Sequence, residues 1–252
     1  MAEPLVSVIM PVYNSERFLE DAIRSVLNQV YMNWELWLID DNSSDNSRQI
    51  ISNFTAIDKR IKSIFLATNG GTAITRNTAI LRSEGKYIAF LDADDLWLNE
   101  KLSQQISFME VNEHSFTYTN YTTMDENGND LKKTIHAPKT VRYRQLLKNN
   151  TIGCLTAVYN TEKLGKMLMP EIRKRQDYGL WLNILKKGVV GYGLQESLAI
   201  YRTGGTSLSN KKTNVLKYNW VLLRKHQNLS FLVSLYYFIC FIFNKSIKYL
   251  KL

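Results

Sequence analysis

Four times in its first 100 residues the chain repeats one order: a short apolar run, a polar cluster, then a segment with apolar residues at helical spacing. Leu5 to Met10 runs into Pro11-Val12-Tyr13-Asn14-Ser15, and Phe18, Leu19, Ala22, Ile23, Val26 and Leu27 follow. Trp34 to Ile39 runs into Asp40-Asp41-Asn42-Ser43-Ser44-Asp45, ahead of a helix carrying Ile50, Ile51 and Phe54. Ile61 to Leu66 leads to Asn69-Gly70-Gly71 and a helix over about 72–82, and Tyr87 to Leu91 stops in Asp92, Asp94 and Asp95. Such a succession predicts an α/β fold with a mainly parallel sheet and right-handed crossovers. In these sheets ligands bind beyond the carboxyl ends of the strands, and there all four polar clusters fall. Turn residues without a function would scatter to both ends.

The acids after Leu91 carry the sharpest chemistry. Crowded carboxylates repel one another unless solvated or neutralised by a cation, and Mg²⁺ or Mn²⁺ takes one or two carboxylates with water and phosphate oxygens in its other positions. The competing reading has Asp92 to Asp95 form a turn that N-caps a helix starting near Asn99. Ser15 is expected to N-cap the first helix in the same way.

Beyond Trp97 the sequence predicts a helix to Val111, a strand at Phe116-Thr117-Tyr118, a turn at Asp125-Glu126-Asn127-Gly128 and a short helix from Val141 to Leu147. Gln176 to Leu185 reads as a helix with Leu180, Trp181, Ile184 and Leu185 on its apolar face, closed by Gly188, with Asp177 in its first turn. For Asp177 the plain alternative is a carboxylate that complements the helix dipole. No repeat or linker divides the chain.

Its 252 residues, 45% hydrophobic and 12% aromatic, suit a globular protein with a sizeable core and exclude a disordered chain. Cys154 and Cys240 lack metal-ligand spacing and read as reduced, buried thiols. The net charge of +9 is localised: no acid follows Glu196, whereas nine lysines and arginines do, leaving 23 basic and 23 acidic residues upstream. Such a tail seeks phosphate, on a membrane or a nucleic acid. Within it Leu229 to Phe243 is apolar apart from two serines. As a helix this stretch would be roughly 22 Å long, against a hydrocarbon core of about 30 Å. With Arg224, Lys225, Lys245, Lys248 and Lys251 around it, it reads as an interfacial anchor on an anionic membrane surface; the alternative is a helix docked on its own domain. It lacks the spaced polar residues of a groove-reading helix, so no nucleic-acid partner is expected. The chain passes from Ala2-Glu3-Pro4 directly into a strand with no apolar leader, and a cytoplasmic protein, peripheral at the inner face of the cell membrane, is expected.

Taken together, Val8-Ile9-Met10-Pro11-Val12-Tyr13-Asn14, Asp40 to Asp45, Asn69-Gly70-Gly71 with Thr75-Arg76-Asn77, Phe90-Leu91-Asp92-Ala93-Asp94-Asp95 and Gln176-Asp177 resemble the inverting family 2 glycosyltransferases of bacterial surface-polysaccharide type. The resemblance implies a GT-A, Rossmann-like fold over residues 1–205, with a nucleotide-sugar-binding half at 1–110, an acceptor-binding half at 111–205, and a basic helical tail at 206–252. Pro11 and Tyr13 would frame the base of a nucleotide sugar, expected to be a UDP-sugar, and Asp41 would accept hydrogen bonds from it. Arg76 would lie against base or diphosphate, Asp92 would hold the ribose, Asp94 would hold Mn²⁺ or Mg²⁺, and Asp177 would be the general base. The implied acceptor is a lipid-linked saccharide in O-antigen or capsule synthesis, and Arg202, Lys211 and Lys212 beside Gly204 to Ser207 could meet a diphosphate. Gln176 departs from the Glu-Asp pair usual in the family. The Gln-x-x-Arg-Trp signature of processive synthases is absent, which favours a single addition. From another class, the alternative is a catalytically silent nucleotide-sugar-binding or scaffolding subunit of a membrane-associated assembly.

Overall fold

The structure, a computed structural model, describes residues 3–204 and 212–250, with no side-chain placement for 212–214 and 245–250. Expectations attached to Gly205, Thr206, Ser207, Lys211 and Lys251, and to the side chains of Lys212, Lys245 and Lys248, lie outside the described residues.

Strands β1 (Val6–Val12), β2 (Trp34–Asp40), β3 (Ile61–Phe65) and β4 (Tyr87–Phe90) alternate with helices α1 (Leu19–Leu27), α2 (Ser47–Ile57) and α3 (Thr72–Arg82). They pair in parallel in the order β3-β2-β1-β4. Every residue of β2 is buried, as the near-continuous apolar run of a strand covered on both faces demands. Successive side chains point to opposite faces. Val6, Val8, Met10, Leu36, Leu38, Ala89 and Leu91 join one apolar layer with α1, α2 and α4 (Lys101–Val111), while Ile9, Trp37, Ile39, Ile88 and Phe90 join the other.

The second half extends the same sheet. After β5 (Leu96–Trp97) and α4 come β6 (Phe116–Met124), β7 (Asp130–Ile135) and β8 (Thr140–Val141), then α5 (Tyr143–Leu146), β9 (Val158–Asn160), α6 (Thr161–Leu164), α7 (Gln176–Lys186) and β10 (Gly191–Arg202). The order continues β4-β9-β6-β10-β5, with β9 antiparallel to both β4 and β6, so the sheet is mixed.

Four local expectations change. The short helix expected from Val141 to Leu147 is confined to α5, and Val141 belongs to β8 instead. Helix α1 starts at Leu19 after Phe18, and Ser15 contributes its carbonyl oxygen, which accepts from the Phe18 and Leu19 amides, rather than its hydroxyl. Helix α4 follows Glu100 with no side-chain cap, so the acids at 92–95 do not serve as its N-cap. Cys154 and Cys240 are free thiols, but both are only partly buried.

The C-terminal part forms α8 (Lys212–Val221), a π-helical segment over Leu222–His226 and α9 (Phe231–Leu250). Here the expectation of a 15-residue segment is too short: α9 has 20 residues. No described helix is both long and apolar enough to cross a membrane. One side of α9 docks on the second core layer through Tyr237 and Phe238, and Phe241 on the same helix is fully buried, with Arg175 over its ring. The other side leaves Phe231, Leu232, Tyr236, Ile239 and Phe243 more than half exposed.

Candidate active site

The polar clusters meet at the carboxyl end of the parallel strands. Val12 pairs with Asp40, and the Asp41 amide donates to the Val12 carbonyl at 2.8 Å, so the ends of β1 and β2 lie side by side. Pro11 is half-buried there and Tyr13 is 53% exposed at the rim, leaving its ring free to meet a planar ligand. Asn14 (φ 46°) and Asn42 (φ 62°) take the left-handed turns that Asn tolerates better than branched residues. The Asn14 side-chain oxygen accepts from the Ser44 amide at 2.8 Å and ties the two loops together.

The adjacent acids of the second cluster have separate roles. Asp40 is fully buried and pairs with Arg48 at 2.7 Å while accepting from the Ser43 amide. Asp41 accepts from the amides of Gly70 at 2.7 Å and Gly71 at 2.9 Å, one on each carboxylate oxygen. Each oxygen keeps a lone pair for a further donor such as an imide N–H. Gly71 enters α3 at φ 82°, a conformation that favours glycine.

Arg76 projects from α3 to Asp92 at the end of β4 and forms an ion pair with it. The arginine side chain is 4% exposed and the aspartate 31%. Its Nη1 also approaches the Met169 sulfur, and Nε has no partner among the described residues. Burial opposes the charge, but Asp92 and Asp177 outweigh it and hold the guanidinium above its ordinary pKa. Asp94 reaches solvent, yet the protein packed around it and then Asp92 push its carboxyl up to about 6. Asp95 is wholly buried, and burial, then the charges of Asp94 and Asp92, hold its carboxyl well above the usual carboxylate range. It accepts from the Arg202 amide at 2.9 Å, and Arg202 Nε donates to the Asp94 carbonyl at 3.0 Å. Arg202, 9% exposed and stacked on Phe18, therefore straps the acidic turn to β10 rather than presenting a free cation to a ligand.

Asp177 reaches this cluster through the packing of its helix. Trp181, one turn after Asp177, meets Phe90 edge-on at 5.4 Å and stacks on Phe116 at 5.3 Å. Phe90 stands two residues before Asp92, so α7 is anchored on the strand that delivers the acids. Asp177 is half-buried and close enough to act electrostatically on both Arg76 and Cys154, as does Asp92. Among the described residues no hydrogen bond satisfies its carboxylate, which leaves it able to accept one.

Pro11, Tyr13, Asp41, Arg76, Asp92 and Asp94 thus lie on the β1, β2 and β4 ends or on α3, and Asp177 lies within electrostatic reach of them. Sequence reasoning missed the strapping role of Arg202, the burial of Asp95 and the presence of Cys154 beside Arg76. No local signal could have found the first, because Arg202 and Asp95 lie 107 residues apart. Among the described residues no three His, Cys, Asp or Glu side chains are placed to hold a metal ion by themselves. The donor set suits a cation held by one or two carboxylates and completed by substrate phosphate, as Mg²⁺ prefers, rather than a closed protein cage.

Comparison with known proteins bears on the family and the fold. The sequence profile of the family described as Glycosyl transferase family 2 matches residues 7–164. The chain is 42% identical over 237 residues to Bacillus subtilis (strain 168) TuaG, named for teichuronic acid biosynthesis, covering 94% of each protein. It is 42% identical over 224 residues to Escherichia coli WfgD, a UDP-Glc:alpha-D-GlcNAc-diphosphoundecaprenol beta-1,3-glucosyltransferase, covering 88% of this chain and 87% of that one. The fold superposes on S. aureus TarS 1-349 in complex with UDP-GlcNAc with TM-score 0.72 at 19% identity, covering 94% of this chain and 71% of that one. By its sequence profile, its relatives and its mixed, mainly parallel sheet, this chain belongs to glycosyl transferase family 2 and has the GT-A fold.

Proposed function

We propose that the enzyme transfers one sugar, with inversion, from a UDP-sugar to a hydroxyl of a lipid-linked saccharide, with Asp177 as general base. The observation that carries this reading is the placement of Asp177, without a hydrogen-bond donor among the described residues, within electrostatic reach of the Arg76–Asp92 pair at the end of β4. Pro11 and Tyr13 frame the base, and Asp41 meets it while holding the Gly70–Gly71 turn. Asp92 binds the ribose, and Arg76, itself locked to Asp92, contributes positive charge beside the diphosphate. Asp94, with Asp92 nearby, is the residue that would hold Mn²⁺ or Mg²⁺. When bound, such a cation offsets the charge that builds on the departing nucleoside diphosphate.

Asp177 accepts the proton of the acceptor hydroxyl as that oxygen attacks the anomeric carbon from the face opposite the diphosphate. A carboxylate with unoccupied lone pairs suits that step. Conversion of an α-linked donor to a β-linked product follows from the geometry of displacement. The name of the relative WfgD supports both a UDP-sugar donor and a diphospho-lipid acceptor. The outer face of α9, with Phe231, Leu232, Tyr236, Ile239 and Phe243 exposed and Lys225 exposed nearby, supports docking on an anionic membrane surface, where such an acceptor resides. That location is at the cytoplasmic face.

The test is a donor screen across UDP-, GDP- and dTDP-sugars with Mg²⁺ or Mn²⁺, reading nucleoside diphosphate release with and without lipid-linked acceptor. Acceptor-stimulated release of UDP is expected. Binding of donors without any turnover would return the silent-subunit reading.

A further inference from the structure

Between α5 and the first turns of α9 the surface opens into an apolar groove of about 560 Å³. Tyr143 and Leu147 wall one side, Leu232, Val233, Tyr236 and Tyr237 the other, and Arg144 stands at the rim. The groove runs into the exposed apolar side of α9, and no acidic residue occurs anywhere after Glu196.

A chain of contacts leads from this groove to Asp177. Tyr178, the next residue, donates its hydroxyl to the Leu146 carbonyl at 2.9 Å and so fixes the first turn of α7 against α5. The Arg175 guanidinium carbon lies 5.5 Å from the centre of the Tyr178 ring and 4.8 Å from that of Phe241. Phe241 follows Tyr237, a groove residue, by one helical turn. Arg175 also departs from regular backbone, at φ 71°, immediately before the helix that carries the base. A non-glycine residue holds that conformation only when its surroundings dictate it. Among the described residues the guanidinium has aromatic faces and the field of Asp177, but no hydrogen-bond acceptor. Five N–H donors thus stand ready for an anion between the base and the groove.

The base, an unsatisfied arginine and an apolar groove follow one another in that order. A lipid-linked saccharide presents the complementary sequence of parts: hydroxyls, a diphosphate, and a hydrocarbon chain. Resting on the function proposed above, we infer that Arg175 binds the diphosphate of the acceptor and that the groove between α5 and α9 receives the first part of its hydrocarbon chain. Helix α9 is then part of the acceptor site as well as the face turned to the membrane. Arg–phosphate pairing is suited to the task because it is charge-assisted and directional. The aromatic faces of Tyr178 and Phe241 fix the guanidinium in advance, so little rotamer freedom is lost on binding.

The experiment uses the full chain and one acceptor saccharide in four forms: its diphosphate with a methyl cap, with an eleven-carbon alkyl chain, with a long isoprenoid chain, and the uncharged methyl glycoside. The wild-type acceptor KM is expected to fall about tenfold or more from methyl cap to long chain. Leu232→Glu, at a side chain 76% exposed and therefore compatible with folding, should remove most of that chain-length ratio. Arg175→Met should raise KM for the diphosphate acceptors about tenfold more than KM for the methyl glycoside or the donor, and Arg175→Lys should recover part of the loss. Transfer that is independent of chain length in the wild type overturns the groove assignment while leaving the proposed function standing. A donor KM that rises with Arg175→Met as much as the acceptor KM assigns the arginine to the donor diphosphate and overturns its role here. If Leu232→Glu dissociates a wild-type dimer and spares the chain-length ratio, the groove belongs to a second copy of the chain. Absence of transfer to every form, including the methyl glycoside, removes the function and this inference with it.

Discussion

The Arg76 guanidinium on α3 and the Asp92 carboxylate at the end of β4 form an ion pair in which the cation is buried and the anion is 31% exposed. The pair joins the helix that follows the glycine turn to the strand that delivers the acids. Removing only the arginine leaves Asp92 beside Asp94 without its counter-charge. Arg76→Met is expected to lower stability by about 2 to 3 kcal/mol, since one member of a partly buried pair remains uncompensated. Arg76→Met with Asp92→Asn should recover part of that loss. Urea unfolding of the two single variants and the double variant measures the coupling; strictly additive losses would show that the pair is not coupled.

Asp177→Asn should retain UDP-sugar binding and lose turnover by about 10² to 10⁴, the range for removal of a general base. The amide occupies the same volume but cannot take the proton. Rapid-quench measurement of transfer alongside donor calorimetry checks both halves. A kcat within a few-fold of wild type would remove Asp177 from the chemistry.

Asp94→Ala should weaken Mn²⁺-supported UDP binding by about tenfold or more, equivalent to 1.4 kcal/mol. Affinity measured in EDTA should change far less. The contrast is read by titration calorimetry with and without the cation. An equal loss under both conditions would assign Asp94 to the nucleotide itself.

Lys101 is wholly enclosed, with its ammonium 2.7 Å from the Gln105 side-chain oxygen and 4.4 Å from the centre of a Trp97 ring, and burial brings its pKa down to about 7. In the unfolded chain the value is near 10.4, so between about pH 7 and 10 the unfolded state holds the extra proton. The contribution of this position to stability therefore rises with pH through that window and is lost as pH falls toward 7. Lys101→Met removes the effect. The difference in unfolding free energy between wild type and variant should change by up to about 1.4 kcal/mol per pH unit from pH 7 to 10 and flatten below. A difference that does not vary with pH would show that the lysine stays charged.

The outer side of α9 predicts co-sedimentation with vesicles that contain anionic lipid and much weaker binding to zwitterionic ones. Raising salt should weaken binding, and Phe231→Glu with Phe243→Glu should abolish it by opposing both insertion and charge. These side chains are 57% and 64% exposed, so the substitutions leave the core intact. Equal binding to both vesicle types would count against the electrostatic part of the docking.

Much of the fold was legible because local signals and global order agree in the first half. A parallel sheet buries both faces, so β1, β2 and β4 show as nearly continuous apolar runs, interrupted only by Ser7 and Glu35, and their carboxyl ends show as the polar residues that follow them. Strands β9 and β10 were not legible. Val158–Asn160 is three residues long, and β10 contains Gly191, Gly193 and a glutamate, so neither carries a clear alternation. Their strand identity comes from pairing with β4 and β6, a long-range fact.

The site divides the same way. The sequence by itself determined which carboxylates stand after β2 and β4 and in the first turn of α7, because the positions of Asp41, Asp92, Asp94 and Asp177 follow from the local order of elements. Only the tertiary structure decided how they differ: that Asp41 clamps a glycine turn, that Asp92 is taken by Arg76, that Asp95 is buried against Arg202, and that Asp177, on the helix anchored by Trp181 to Phe90, lies within electrostatic reach of Arg76. It also decided that α9 is docked on one side and bare on the other. Sequence spacing determines which side of an element a residue occupies, whereas the partner on that side is set by packing between segments a hundred or more residues apart.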